Sequence, residues 1–211
     1  MSHFDSDLLF EAIQIRDGVP RRLALHQARM NRSRQEHFSE LETIDIASLI
    51  DVPDDLRTGV VKCRISYGES IGRIEYTRYV PRKHDGVMLI DLDRSYGFKY
   101  NQREWLNRIE AAHPDKLVII VKDERLTDAT YANIALYDGV RWVTPEHCLL
   151  KGTMREWLLA EGIVIEHDIT LQELDNYRSV KVLNALTEWD EAQEIPLHPY
   201  TILSNDEVKD L

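Results

Sequence analysis

The stretch LTDATYANIALYDGVRWVTPEHCLLKGTMREWLLA, residues 126–160, decides the fold. Leu126, Thr127 and Asp128 precede a strand, where a Thr-Asp pair ordinarily serves turn chemistry because an aspartate side chain satisfies nearby backbone groups. Tyr131 to Tyr137 then reads as a strand. Asp138 and Gly139 supply a hairpin turn, and Val140 to Val143 returns as a second strand ended by Thr144 and Pro145. Gly152 opens a helix that runs through Leu159.

Upstream, Leu117 to Val121 is a continuous apolar, β-branched run, the pattern of a strand covered on both faces. Before it come a helix over Glu104 to Ala112, carrying Trp105, Leu106 and Ile109, and an apolar strand over Val87 to Leu92. Pro81 to Gly86 reads as a linker. On its far side, Val60 to Tyr67 and Arg73 to Val80 form two strands joined through Gly68 and Gly72. A helix from Leu23 to about Phe38 and a strand over Leu8 to Ile15, turned by Asp17 and Gly18, complete that half. Downstream, a strand over Ile163 to Glu166, a helix over Leu171 to Tyr177 and a strand over Val180 to Leu183 lead into an acidic, proline-containing segment that reads as an irregular tail. Helices do not alternate regularly with strands, so the class is α+β: two small α/β domains, residues 1–82 and 83–211, with mixed sheets and hairpins.

The 211 residues are 43% hydrophobic and 30% charged, enough to bury a sizeable core. No apolar run reaches the roughly 18 residues of a membrane helix, and the first residues lack a signal-peptide pattern, so a cytoplasmic chain without a membrane partner is expected. A net charge of −11 repels phosphate backbones and argues against a nucleic-acid partner. Cys63 and Cys148 lie outside any C-x-x-C spacing and read as reduced thiols, and the eight histidines form no H-x-x-x-H pair, so no metal site is expected.

Four segments carry candidate chemistry. Lys99 lies just beyond an apolar strand, in SYGFKYNQR over residues 95–103. Asp128 precedes a strand, Gly152 and Thr153 start a helix, and Arg29 sits on the first helix in His26-x-x-Arg29. Each alone has an ordinary reading: a solvated lysine, a turn aspartate, a helix cap, an arginine on an exposed face. Together they supply the parts of a pyridoxal-phosphate site: an amine for a Schiff base, a carboxylate for the pyridine nitrogen, and amides with an arginine for a phosphate.

In order and spacing the set resembles the class IV aminotransferase and 4-amino-4-deoxychorismate lyase family, the fold-type IV pyridoxal-phosphate enzymes. Phe10 to Gln14 with Asp17-Gly18 is similar to its F-E-x-I-R strand and D-G turn, and His26-x-x-Arg29 to its H-x-x-R. Lys99 to Arg103 resembles the lyase pattern K-x-x-N-R. Leu126 to Arg155 resembles the run [VL]-[ST]-E-x-x-x-x-N-[IL]-F, D-G, T-P, L-x-G-x-x-R, and Leu183 to Leu186 resembles the lyase motif C-N-[AS]-L. The chain departs from this pattern in three places. Asp128 stands where the family has Glu, Gly152-Thr153-Met154 replaces G-I-T, and the strand that usually precedes F-E-x-I-R is missing.

The resemblance implies pyridoxal 5'-phosphate as cofactor, with Lys99 as the catalytic Schiff-base lysine and Asp128 at the pyridine nitrogen. It places Arg29, Thr153, Met154, Asn184 and Ala185 at the phosphate. Arg64 is either an outward-facing strand residue or the arginine for a substrate carboxylate; Glu11, Tyr67 and Arg94 are weaker candidates. The activity implied is 4-amino-4-deoxychorismate lyase, releasing pyruvate and 4-aminobenzoate from a small amino substrate. Transamination of branched-chain or D-amino acids is the alternative, and a non-catalytic cofactor-binding relative is the reading from another class. A homodimer is implied as well, since relatives build the active-site mouth from two subunits.

Overall fold

A computed structural model describes residues 9–38, 42–91 and 103–203. The chain divides into two compact units: Met1–Pro81 with Ala185–Glu188, and Arg82–Asn184 with Trp189–Leu211. The short segment 185–188 thus belongs to the first unit, although it lies far along the stretch that forms the second.

In the first unit, strands β1 (Leu9–Arg16), β2 (Val19–Pro20), β3 (Val60–Tyr67) and β4 (Ile71–Arg78) make one antiparallel sheet in the order β2-β1-β3-β4. Asp17 and Gly18 turn β1 into β2 with φ of 49° and 78°, the left-handed pair that a two-residue hairpin turn demands. Strand alternation puts Glu11, Ile13 and Ile15 on one buried face of β1. Helix α1 (Leu23–His37) buries His26, Met30 and Arg34, one residue per turn. Ile13, Ile15, Met30, Ile46, Val61, Cys63, Ile65 and Tyr67 make up the core. The second strand of the β3–β4 hairpin starts two residues earlier than the expected Arg73, because Ile71 already pairs with Tyr67.

The second unit contains two sheets. One has the order β13-β5-β6-β7, from β5 (Gly86–Asp91), β6 (Lys116–Lys122), β7 (Arg125–Ala129) and β13 (Tyr200–Leu203). The other has the order β10-β9-β8-β11-β12, from β8 (Asn133–Tyr137), β9 (Trp142–Pro145), β10 (Val164–His167), β11 (Ser179–Leu183) and β12 (Glu194–Pro196). One core packs the two sheets together, with Val87, Leu89, Leu117, Ile119 and Val121 meeting Ile134, Leu136, Val143 and Val180. On the other face of the first sheet, Met88, Ile90, Val118 and Ile120 gather with Ile109 of helix α2 (Arg103–Ala112). On the other face of the second sheet, Ala135, Val164 and Leu183 gather with Met154 and Leu158 of helix α3 (Thr153–Ala160). β6 is therefore covered on both faces, as its unbroken apolar run requires.

The structure differs from the sequence reading at four points. Asp128 lies within β7, so the ordinary reading of it as a turn residue does not hold, and β8 begins at Asn133 rather than Tyr131. Residues Leu171–Asn176 form a 3-10 helix, opened by a capping box between Thr170 and Glu173. The segment read as an irregular tail contributes β12 and β13: Ile195 and Leu197 are buried on alternate positions, and Tyr200–Leu203 pairs parallel with β5. Among the described residues no helix is long and apolar enough to cross a membrane, and no group of three or more His, Cys, Asp or Glu could hold a metal ion.

Candidate functional site

In the second unit the site is built around a buried carboxylate. Asp128, on β7, accepts hydrogen bonds on Oδ2 from the amides of Leu149 at 2.8 Å and Leu150 at 3.0 Å, and on Oδ1 from Asn133 Nδ2 at 2.6 Å. Asn133, the first residue of β8, also donates Nδ2 to Leu150 O at 2.6 Å and accepts the Gly152 amide on Oδ1 at 3.0 Å. One asparagine thereby ties the carboxylate to the start of α3. Gly152 is required here for close approach, since a Cβ at that position would overlap Asn133 Oδ1.

Helix α3 then begins with Thr153, Met154 and Arg155, all buried. A helix finds no carbonyl partner of its own for its first amides, so its N-terminus suits an anion. Arg155 reaches the other way, to Glu166 Oε1 at 2.6 Å and Pro145 O at 3.0 Å, and anchors α3 to β9 and β10. Burial pushes the Asp128 carboxyl up to about 6, against the pull of its three hydrogen bonds and the Arg155 charge. The pocket that holds it is thus short of positive charge. Thr130, two residues on, keeps a buried hydroxyl with no hydrogen-bond partner among the described residues.

In the first unit the charged centre is Glu11. Its side chain is wholly buried on the helix-facing side of β1, where His26 Nδ1 lies 2.6 Å from Oε2. Arg29 grips the same carboxylate through Nε at 2.9 Å and a terminal nitrogen at 2.5 Å, while the Tyr67 hydroxyl donates at 3.5 Å. Burial raises the Glu11 pKa, but the hydrogen bonds and charges of His26 and Arg29 outweigh it, and the net shift is downward. The sequence places Arg29 at a phosphate; the structure adds that two of its nitrogens are oriented by Glu11, and the pattern F-E with H-x-x-R was the signal for that pairing.

Ala185 lies in the first unit, its carbonyl accepting from Arg22 at 3.1 Å, while Asn184 closes the chain stretch of the second unit. Arg64, on β3, bonds Ser66 Oγ at 2.6 Å and stacks 4.6 Å over the Phe10 ring, with Glu75 at 3.5 Å. Lys99 and Arg94 lie outside the described residues. The structure brings Asp128, Thr153 and Met154 together in one unit, joined by Gly152 and by Asn133, to which the sequence assigned no role. It groups Arg29 with Glu11 and His26 in the other.

The amino-transferase class IV family matches residues 100–195. An uncharacterised protein of Haemophilus influenzae is 33% identical over 185 residues, covering 84% of this chain and 97% of its own length. Among solved structures, a provisionally assigned 4-amino-4-deoxychorismate lyase from Haemophilus somnus superposes with a TM-score of 0.78 at 24% identity, over 88% of this chain and 98% of that one. A hypothetical aminotransferase from Mycobacterium tuberculosis in its pyridoxal-phosphate-bound form gives a TM-score of 0.69 at 15% identity, over 96% and 85%. The architecture is that of the fold-type IV pyridoxal-phosphate enzymes. The chain belongs to the class IV aminotransferase family, whose members depend on that cofactor.

The residues present fit the cofactor. A buried carboxylate short of cationic partners suits a protonated pyridine nitrogen, and the start of α3, which has no intrahelical acceptor for its first amides, suits a phosphate.

Proposed function

We propose that this protein is a pyridoxal-phosphate lyase that releases pyruvate from 4-amino-4-deoxychorismate to give 4-aminobenzoate. The single observation that carries the cofactor reading is the Asp128 carboxylate, buried yet held by only neutral donors, beside the first turn of α3. Lyase chemistry is favoured over transfer by Lys99 to Arg103 and by Asn184-Ala185-Leu186, both in the pattern of the lyases. The fold shared with the Mycobacterium tuberculosis aminotransferase supports transamination of an amino acid as the second reading.

In this reading Lys99 holds the cofactor covalently, and Asp128 pairs with its ring nitrogen. Arg29 and the backbone at Thr153, Met154, Asn184 and Ala185 hold its phosphate. The bound cofactor supplies an electron sink for the carbanion formed beside the substrate amine. Lys99 Nζ would take the proton from the carbon that bears the substrate amine as the neighbouring carbon–oxygen bond to the enolpyruvyl group breaks, and would pass it to the departing enolate, which leaves as pyruvate. Asp128 keeps the ring nitrogen protonated through charge, and Asn133 with the Leu149 and Leu150 amides keeps that carboxylate in place. Arg64 is proposed for the substrate carboxylate. In the same reading the enzyme works in the cytoplasm as a homodimer.

Borohydride reduction of the purified protein followed by peptide mapping tests the cofactor reading, with the label expected on Lys99 and absent from Lys99→Ala. Label on another lysine, or none, sinks it. Pyruvate release from 4-amino-4-deoxychorismate, against keto-acid-dependent turnover of amino acids, separates the two activities.

A further inference from the structure

We propose that Asn133 is a positioning residue that selects which oxygen of Asp128 meets the cofactor ring: it favours the ionised carboxylate and leaves one lone pair, on Oδ1, for the pyridine N–H. The inference rests on the role proposed above for Asp128, and every residue it uses lies in the second unit. An ionised carboxylate offers about four acceptor positions, shared equally between its oxygens. Oδ2 is filled by the Leu149 amide at 2.8 Å and the Leu150 amide at 3.0 Å. Oδ1 takes Asn133 Nδ2 at 2.6 Å, its one donor among the described residues. A further donor therefore finds its place on Oδ1, the oxygen that Asn133 already holds.

The surroundings of Asn133 fix the direction of its amide. Gly152 presents an N–H to Oδ1 at 3.0 Å, and Leu150 presents a carbonyl to Nδ2 at 2.6 Å. Turned over, the side chain would set its oxygen against the Leu150 carbonyl and the Asp128 carboxylate, and its nitrogen against the Gly152 amide. Both Nδ2 hydrogens are thus committed, one to Leu150 O and one to Asp128 Oδ1. The backbone of Asn133 is held by the pairing of β8 with β11, where it stands opposite Leu183, and its side chain is buried. Held at both ends, Asn133 can only donate to Asp128. The three groups bonded to the carboxylate are then all donors, and a protonated carboxyl finds no acceptor among them for its hydrogen. This arrangement works against burial, which favours the protonated form.

The contact is tested first by NMR of the cofactor-free protein. In the wild type the Asn133 side-chain amide signals should titrate with the Asp128 carboxyl, and signals that ignore that titration overturn the contact. Asn133→Ala removes the donor and should raise the Asp128 midpoint by about one pH unit, the scale of one hydrogen bond to a charged group. Asn133→Asp keeps the shape and the acceptor for Gly152, so it guards against a variant that fails to fold. There the two carboxyls should share a proton and titrate in two separated steps, and independent titrations would overturn the contact. Pyridoxal phosphate labelled with nitrogen-15 in its ring then tests the link to the cofactor. Its binding to the wild type should move the Asn133 side-chain amide more than the Leu149 and Leu150 amides. The reverse order assigns the ring to Oδ2 and overturns the choice of oxygen. In Asn133→Ala the ring signal should move towards its unprotonated position, as the proton shifts about tenfold in favour of the more basic carboxylate. An unmoved ring signal beside a raised Asp128 midpoint overturns the link to the ring. A wild-type protein that takes up no pyridoxal phosphate overturns the proposed function and the ring partner with it, while the cofactor-free titrations still judge the contact.

Discussion

Gly152 donates its amide hydrogen to Asn133 Oδ1 at 3.0 Å and stands so close that a side chain at position 152 has no room. Gly152→Ala should therefore push Asn133 away from Asp128 and destabilise the protein by about 1 to 3 kcal/mol, the range for overpacking a tight site. Urea unfolding of the cofactor-free protein measures the loss. A variant as stable as the wild type would mean that this approach is not constrained.

Asp128 predicts a dependence of stability on pH with a definite sign. Its carboxyl titrates near 3.8 when unperturbed and is pushed up to about 6 by burial, so the folded protein holds this proton more tightly than the unfolded chain. The stabilisation is full below about 4, is lost as pH rises from about 4 to about 6, and stays lost above. Two pH units correspond to about 3 kcal/mol. Asp128→Asn should flatten that slope in cofactor-free protein, and an unaltered slope would assign it to another group. With substrate, the same variant should lose about 10²-fold or more in turnover while keeping its covalent cofactor on Lys99, whereas Asp128→Glu retains the charge.

Glu11 predicts the opposite slope. Its pKa is lowered by His26 and Arg29 despite burial, so its stabilisation is present above its unfolded value and is lost as pH falls through the folded one. Glu11→Gln should cost about 3 to 5 kcal/mol near neutrality, because it leaves the Arg29 guanidinium without its counter-ion. It should also blunt acid unfolding. Denaturant titrations at neutral and acid pH check both, and equal stability of variant and wild type near pH 7 would contradict the ion-pair account.

Arg29→Ala should weaken pyridoxal phosphate binding by about 1.5 to 3 kcal/mol, the scale of a hydrogen bond to a charged group. Titration with the cofactor reads this directly. Unchanged affinity would confine Arg29 to neutralising Glu11.

A homodimer in solution is expected from the proposed function. Light scattering that shows a monomer with full cofactor occupancy would overturn it.

The elements legible in the sequence are those whose signals are local. The Asp17-Gly18 turn, the regular span of α1, the apolar run of β6 and the glycine before α3 each announce themselves within a few residues. β7 was hidden because the turn before it uses Asp123 and Glu124, with φ of 50° and 59° and no glycine to mark it. Its polar residues are also buried by bonds that sequence does not display, such as Thr127 Oγ1 to Ile120 O at 2.8 Å. β13 depends on a partner more than a hundred positions away, β5, and an isolated four-residue run gives no hint of that pairing. Asp128 and Arg29 stand out as candidates through the order of motifs. Glu11, a weaker candidate in the sequence, gains its contact with Arg29 from the packing, and Asn133 emerges from the packing alone.

The assignment of Ala185–Glu188 to the first unit bears on how the protein is made. Pro81 is where a contiguous first unit would end, yet Gln14 and Arg22 find Leu186, Ala185 and Glu188 only after the whole second sheet except β12 has been translated. On the ribosome, where domains ordinarily fold in order from the N-terminus, the first unit would form before the Ala185 and Leu186 carbonyls and the Glu188 carboxylate that Arg22 and Gln14 reach have emerged. A nascent chain stalled before that point should be markedly more sensitive to protease in its first eighty or so residues than one released.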